Sequence, residues 1–224
     1  MEKLIPSTLS LPILKQWVNL NEYGMADYDW LNVKGISLSE TEQQELQHLK
    51  SKLKTSRLHL MNEATIWARG IYPLLSLAEQ GNIQAWASVA MYAKYPQFEI
   101  EGIADGVLGK CVSGFIESPY VIVVEAKRGL EAQNPLYQLY GQLLVAAHLN
   151  WENDQKEPQE IFGCYTIADS WSFIRAEIER MNADQPIMRI EFSGEYAEQY
   201  DAETIVRILK GIVSKYVKLS TNER

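Results

Sequence analysis

The sequence predicts an α/β protein, a mixed β-sheet core flanked by helices with a helical N-terminal extension, and three observations carry that prediction. The chain of 224 residues is 46% hydrophobic, enough for one substantial core. Residues 118–127, SPYVIVVEAK, form the continuous β-branched run of a central strand covered on both faces. Around it, helix-period and strand-period segments share the chain, as a layered α/β fold requires.

The first third reads as helical. Ser39 followed by Glu42 is a capping-box signature, and Leu46, Leu49 and Leu53 then recur at helical spacing. A second helix is expected over 61–81, divided or kinked at Pro73 and ended by Gly81, and a third from Asn82 to Pro96. Residues 98–115, FEIEGIADGVLGKCVSGF, alternate and are broken by glycines, as a hairpin would be, which places Asp105 at a junction of two strands. After the central strand, Pro135 can open a helix through LYQLYGQLLVAAHL. A polar loop, 150–160, precedes two paired strands, IFGCYTI and SWSFIRAEI, separated by Ala168 and Asp169. PIMRIEF reads as a further strand. The chain then closes on an amphipathic helix with Asp201 as its expected cap.

Composition narrows the function classes. No apolar stretch approaches the ~20 residues that cross a bilayer, and MEKLIPSTLS lacks the long apolar segment of a signal peptide, so no membrane partner and a cytoplasmic location are expected. Cys111 and Cys164 stand far apart, which argues against a disulfide scaffold or a zinc site. The net charge of -8 counts against extensive non-specific binding to nucleic acid. Two local basic clusters remain, one of His48, Lys50, Lys52, Lys54 and Arg57, the other of Lys210, Lys215 and Lys218; a solvated helix face explains either. Trp67 and Trp171 read as core residues rather than stacking platforms.

The chemistry concentrates at the end of the central strand. Alternate side chains of a strand share a face, so Glu125 and Lys127 project together. A hairpin carrying Asp105 could deliver a second carboxylate beside them. Two carboxylates near a backbone carbonyl make a hard oxygen site suited to a divalent cation such as magnesium.

Asp105, then Glu125-Ala-Lys127 on the following strand, then a helix bearing Gln138 and Gln142, resembles the PD-(D/E)XK nuclease superfamily with its restriction endonuclease-like fold. Glu63 resembles the helical glutamate that many members place before the sheet. The runs Arg69–Leu75 and IFGCYTIADSWSFIRAEI are similar to segments of the N-terminal nuclease domains of type I restriction motor subunits. The similarity spans roughly residues 60–180, and Ala104 stands where the family motif has proline. The resemblance divides the chain into an extension, 1–58, and a nuclease-like domain, 59–224.

It also implies a metal-dependent hydrolysis of phosphodiester bonds in nucleic acid, DNA above all. Asp105 and Glu125 would hold Mg²⁺, with Mn²⁺ as a substitute. Lys127 would position water or steady developing charge, and Glu63 would support the metal or its waters. Gln138 is the expected helix glutamine, although Gln142 shares its face and Gln133 stands at a QxxxY spacing before Tyr137. Arg128 and Gln142 would contact the nucleic acid. The competing expectation is a catalytically silent subunit of the same fold that binds nucleic acid or a protein partner, including a second copy of itself. A surface ion pair at an ordinary strand end is the remaining alternative.

Overall fold

The computed structural model describes residues 1–129 and 135–221, without the side chains of His59 and residues 218–221. Gln133 and the side chain of Lys218 therefore lie outside the described residues. The architecture is a mixed eight-stranded sheet flanked by helices. Its strands are β1 (Glu2–Leu4), β2 (Asn19–Met25), β3 (Ile83–Lys94), β4 (Phe98–Val112), β5 (Phe115–Lys127), β6 (Gln159–Ile167), β7 (Ser170–Glu179) and β8 (Ile187–Ala197). They run in the order β1-β4-β5-β6-β7-β8-β2, and β3 pairs with β4. The β1/β4, β5/β6 and β2/β8 pairs are parallel and the others antiparallel.

The helices cover both faces. Helix α2 (Glu40–Thr55), the helical segment from α3 (Glu63–Ile66) to α4 (Tyr72–Ser76) and α6 (Glu198–Thr221) close one core. On the other face, α1 (Leu11–Trp17) and α5 (Pro135–Asp154) close a second core. Strand β5 feeds both cores by alternation: Ile122, Val124 and Ala126 belong to the first and Val123 to the second. Glu125 follows the phase of Val123 and so faces α5.

Several expectations hold in the fold. The capping box of α2 is present, with Ser39 Oγ accepting from the Glu42 amide at 3.3 Å and Glu42 returning to the Ser39 amide at 2.7 Å. Helix α5 starts at Pro135, and β6 and β7 form the expected hairpin around Ala168 and Asp169. Asp201, by contrast, is not the cap of the last helix: α6 starts at Glu198, and Asp201 lies inside its first turn, where it accepts the Ala197 amide at 2.9 Å.

Other expectations are corrected. Residues 83–94 form a strand, not a helix: Ile83, Ala85, Val89, Met91 and Ala93 are buried, and exposed residues separate most of them. Alanine-rich composition imitated a helix, but long pairing with β4 decided the outcome. The segment around Asp105 is not a hairpin junction but the interior of β4, and the turn falls at Ser113-Gly114, both at positive φ (51° and 84°). The N-terminal residues are not an appended helical piece either, because β1 and β2 join the sheet. At Pro73 the expected interruption is present: a π-helical turn, Trp67–Ile71, separates α3 from α4 just ahead of the proline, and its widened backbone relieves the crowding a proline ring imposes on the preceding turn.

Candidate functional site

The site lies where β4 and β5 part. Their ladder runs from Val112↔Phe115 to Gly106↔Val124 and stops there. Beyond it the edge of β4 is taken up by β1, at Phe98 to Ile100. Between these two partners the Asp105 carboxylate enters the gap and accepts the Ala126 amide at 2.7 Å. On the other side of β4, Ala87 pairs with Gly106 and Val89 with Ala104, so Ser88, at φ 55°, lies opposite Asp105 outside the ladder. Asp105 thus sits where β4 loses regular pairing on both sides, the kind of local irregularity that re-aims a side chain.

Glu125 is fully buried at the end of β5. One carboxylate oxygen, Oε1, pairs with Lys127 Nζ. The other, Oε2, accepts from Gln142 Nε2 at 2.7 Å. The same amide reaches the Ile103 carbonyl at 3.3 Å, so Gln142 bridges the gap between the parted strands. Its own Oε1 is buried and has no partner among the described residues. Lys127 is one-fifth exposed, and its carbonyl accepts the Ala168 amide at 2.9 Å, which ties the strand end to the β6–β7 turn.

The electrostatics follow from burial. Loss of water pushes the Glu125 carboxyl up to about 7, the nearby Asp105 charge adds to that, and Lys127 and Gln142 act against it. Burial also raises the Asp105 carboxyl, despite the Ala126 amide and Lys127. Burial alone would lower the Lys127 ammonium, but the bond to Glu125 and the charges of Glu125, Asp105 and Glu63 leave it raised. Glu63, exposed at the first turn of α3, is therefore within electrostatic reach of Lys127.

Of the residues that sequence reading placed in one site, the fold brings Asp105, Glu125 and Lys127 together and sets Glu63 within electrostatic reach of Lys127. The two glutamines divide differently. Gln142 contacts Glu125 and is buried, so it has no surface to offer a nucleic acid; Gln138 is half-buried one turn earlier on the same helix. Arg128 directly follows β5, at the rim of the site.

Sequence reading missed two neighbours. Ser88 was hidden by the expectation of a helix over its segment. Trp67, read as core, packs against the backbone beside the acid pair: a Cβ on Gly106 would lie 2.2 Å from its ring. Further along the same helical segment, a Cβ on Gly70 would lie 2.5 Å from Glu198 Oε1. Glu198 is a second fully buried carboxylate. It accepts from Trp171 Nε1 at 3.0 Å, and burial pushes its carboxyl up to about 7. Close backbone approach at Gly106 and Gly70 therefore seats the Glu63 helix between the acid pair and Glu198.

Among the described residues no set of three or more His, Cys, Asp or Glu side chains converges as a metal cage. The donor set at the strand split is the two carboxylates Asp105 and Glu125. That set suits a hard cation such as Mg²⁺, which is commonly held by one or two carboxylates and keeps several waters. No family model and no curated protein sequence matches the chain.

Proposed function

We propose that the protein is a metal-dependent nuclease of the PD-(D/E)XK type, hydrolysing phosphodiester bonds in nucleic acid and most readily in DNA. The observation that carries this reading is the meeting of Asp105, Glu125 and Lys127 where two strands part. A fully buried acid with a half-buried one held close to it carries a cost that a purely structural ion pair does not need, and a divalent cation would offset it.

Held by Asp105 and Glu125, Mg²⁺ or Mn²⁺ supplies charge neutralisation on the phosphate and a water of lowered pKa. The chain's own groups do the rest. Gln142 fixes the rotamer of Glu125, leaving its other oxygen to Lys127 or a cation. Lys127 is long enough to leave Glu125 for an attacking water or a phosphate oxygen, where its positive charge opposes the charge that develops during displacement. The Ala126 amide holds one oxygen of Asp105 and so aims the other. Glu63 sustains the charged form of Lys127 and supports the waters around a cation. Arg128, which directly follows β5, would meet the nucleic acid backbone.

The test is cleavage of single- and double-stranded DNA and RNA with Mg²⁺, Mn²⁺ or chelator. Glu125→Gln keeps the shape of the side chain and is expected to lower the metal-dependent rate at least ~100-fold, as is Lys127→Ala. Circular dichroism would confirm that both variants remain folded. Activity that survives chelator or both substitutions would remove the assignment. The net charge of -8 favours a second reading, a catalytically silent subunit of the same fold whose protein partner supplies the nucleic-acid affinity. No turnover under any condition, with or without metal, would favour that reading instead.

A further inference from the structure

We infer that the cleft between α2 and the π-helical turn binds an unpaired strand of nucleic acid, with Lys52, Arg69 and His48 reaching its phosphates. This rests on the nucleic-acid reading of the site and extends it to a second region of the molecule. The cleft has a volume of about 670 Å³ and a floor that includes Leu49, Leu53 and Leu77. Ligand pockets of roughly 300–1,000 Å³ hold drug-sized molecules, so a cleft of this size accepts a nucleotide or two and not a duplex. An apolar floor with a cationic rim matches a strand that turns its bases inward and its phosphates outward.

Charge is the stronger argument. The protein is acidic overall, and many of its cations are occupied: Lys3, Lys127, Arg175, Arg189, Arg207, Lys210 and Lys215 all sit in ion pairs. His48, Lys52 and Arg69 are exposed and form no ion pair among the described residues, although Glu45 also lines the cleft. Lys50, Lys54 and Arg57 extend the same basic stretch. Lysines in the last turn of α2 are explained in part by the helix dipole. Arg69 is not, because its helical segment runs on through α4 and so does not end there, and yet it lines the same cleft.

The position also suits a strand that passes the catalytic cluster. Arg69 follows Glu63 by six residues on one helical segment, roughly 9 Å of helix rise. That is two or three nucleotides at the ~3.4 Å spacing of a stacked strand. A strand with one phosphate at the acid pair beside Glu63 can therefore place a phosphate two or three nucleotides along at Arg69 and Lys52.

The experiment is fluorescence anisotropy with a labelled 12-nucleotide oligothymidylate, in chelator so that no turnover occurs. Lys52→Ala with Arg69→Ala should weaken binding about tenfold or more, and the slope of log affinity on log salt should fall by about 1.4, at ~0.7 for each phosphate no longer neutralised. Lys15→Ala with Lys34→Ala removes the same charge from other exposed positions and should leave the affinity nearly unchanged. Equal losses in both pairs, an unchanged slope, no binding by the native protein, or equal competition by polyglutamate would each overturn the inference. Cleavage without any effect of Lys52 and Arg69 would sink the cleft and leave the nuclease reading intact. Loss of binding in the Lys52/Arg69 pair, in a protein that never cleaves, would do the reverse.

Discussion

Burial takes Glu125 out of water and Asp105 sets a second acid beside it, and these two influences outweigh Lys127 and Gln142 to raise its carboxyl to about 7. The consequence for stability has a definite sign. An acid whose folded pKa lies above its unfolded value, about 4.3, adds stability below that value and loses it as pH rises through 7. The consequence for activity runs the other way, because a cation needs the ionised acid. The rate should climb with pH through about 7 and level off, and more metal should move the inflection down. Gln142→Ala removes a bond that favours the charged form, so the inflection should move up. It also leaves the fully buried Glu125 carboxyl without this donor, at a cost of about 1–3 kcal/mol in urea unfolding. A pH–rate profile unmoved by that substitution would show that Gln142 does not act through Glu125.

At the scale of elements, the site depends on one strand pair that stops pairing and one helix that leans on the gap. Gly106 connects the two, because the Trp67 ring lies where a side chain would go. Gly106→Ala should cost about 1–3 kcal/mol by forcing the ring and its helix away, and should reduce cleavage by moving Glu63. Combining it with Trp67→Leu, which opens space, should restore part of the stability; an additive loss would contradict the packing of ring on glycine. Much of this region was legible from residues alone. The β-branched run, the alternation of Glu125 with Lys127 and the capping box of α2 are local signals, and each survives in the fold. The β3 segment misled because its alanines carry little period of their own, and its burial pattern exists only against β4. The course of β4 through Gly102, Gly106 and Gly109 was hidden for a related reason. Those glycines admit Pro6, Trp67 and Ile116 closely and mark no turn, a reason that appears only when the partners are in place.

At the scale of the whole molecule, the N-terminal residues are structural parts of the sheet. Strand β1 occupies the edge of β4 next to the strand split, and β2 closes the opposite edge on β8. Parallel pairing between segments so distant in sequence has no local signature, which is why a helical extension was the natural expectation. The same distance applies to the site, whose groups come from positions 105, 125, 127 and 142 and meet only in the complete fold. No described helix is long and apolar enough to cross a membrane. The central claim is that this fold creates one cation site from Asp105 and Glu125, and calorimetric titration of Mn²⁺ into the protein at pH 8 tests it most directly. The expected result is one ion bound per folded chain, lost in Asp105→Asn and in Glu125→Gln and retained in Glu198→Gln, which removes an equally buried acid elsewhere. Absence of binding, or binding that survives both of the first two substitutions, would contradict it.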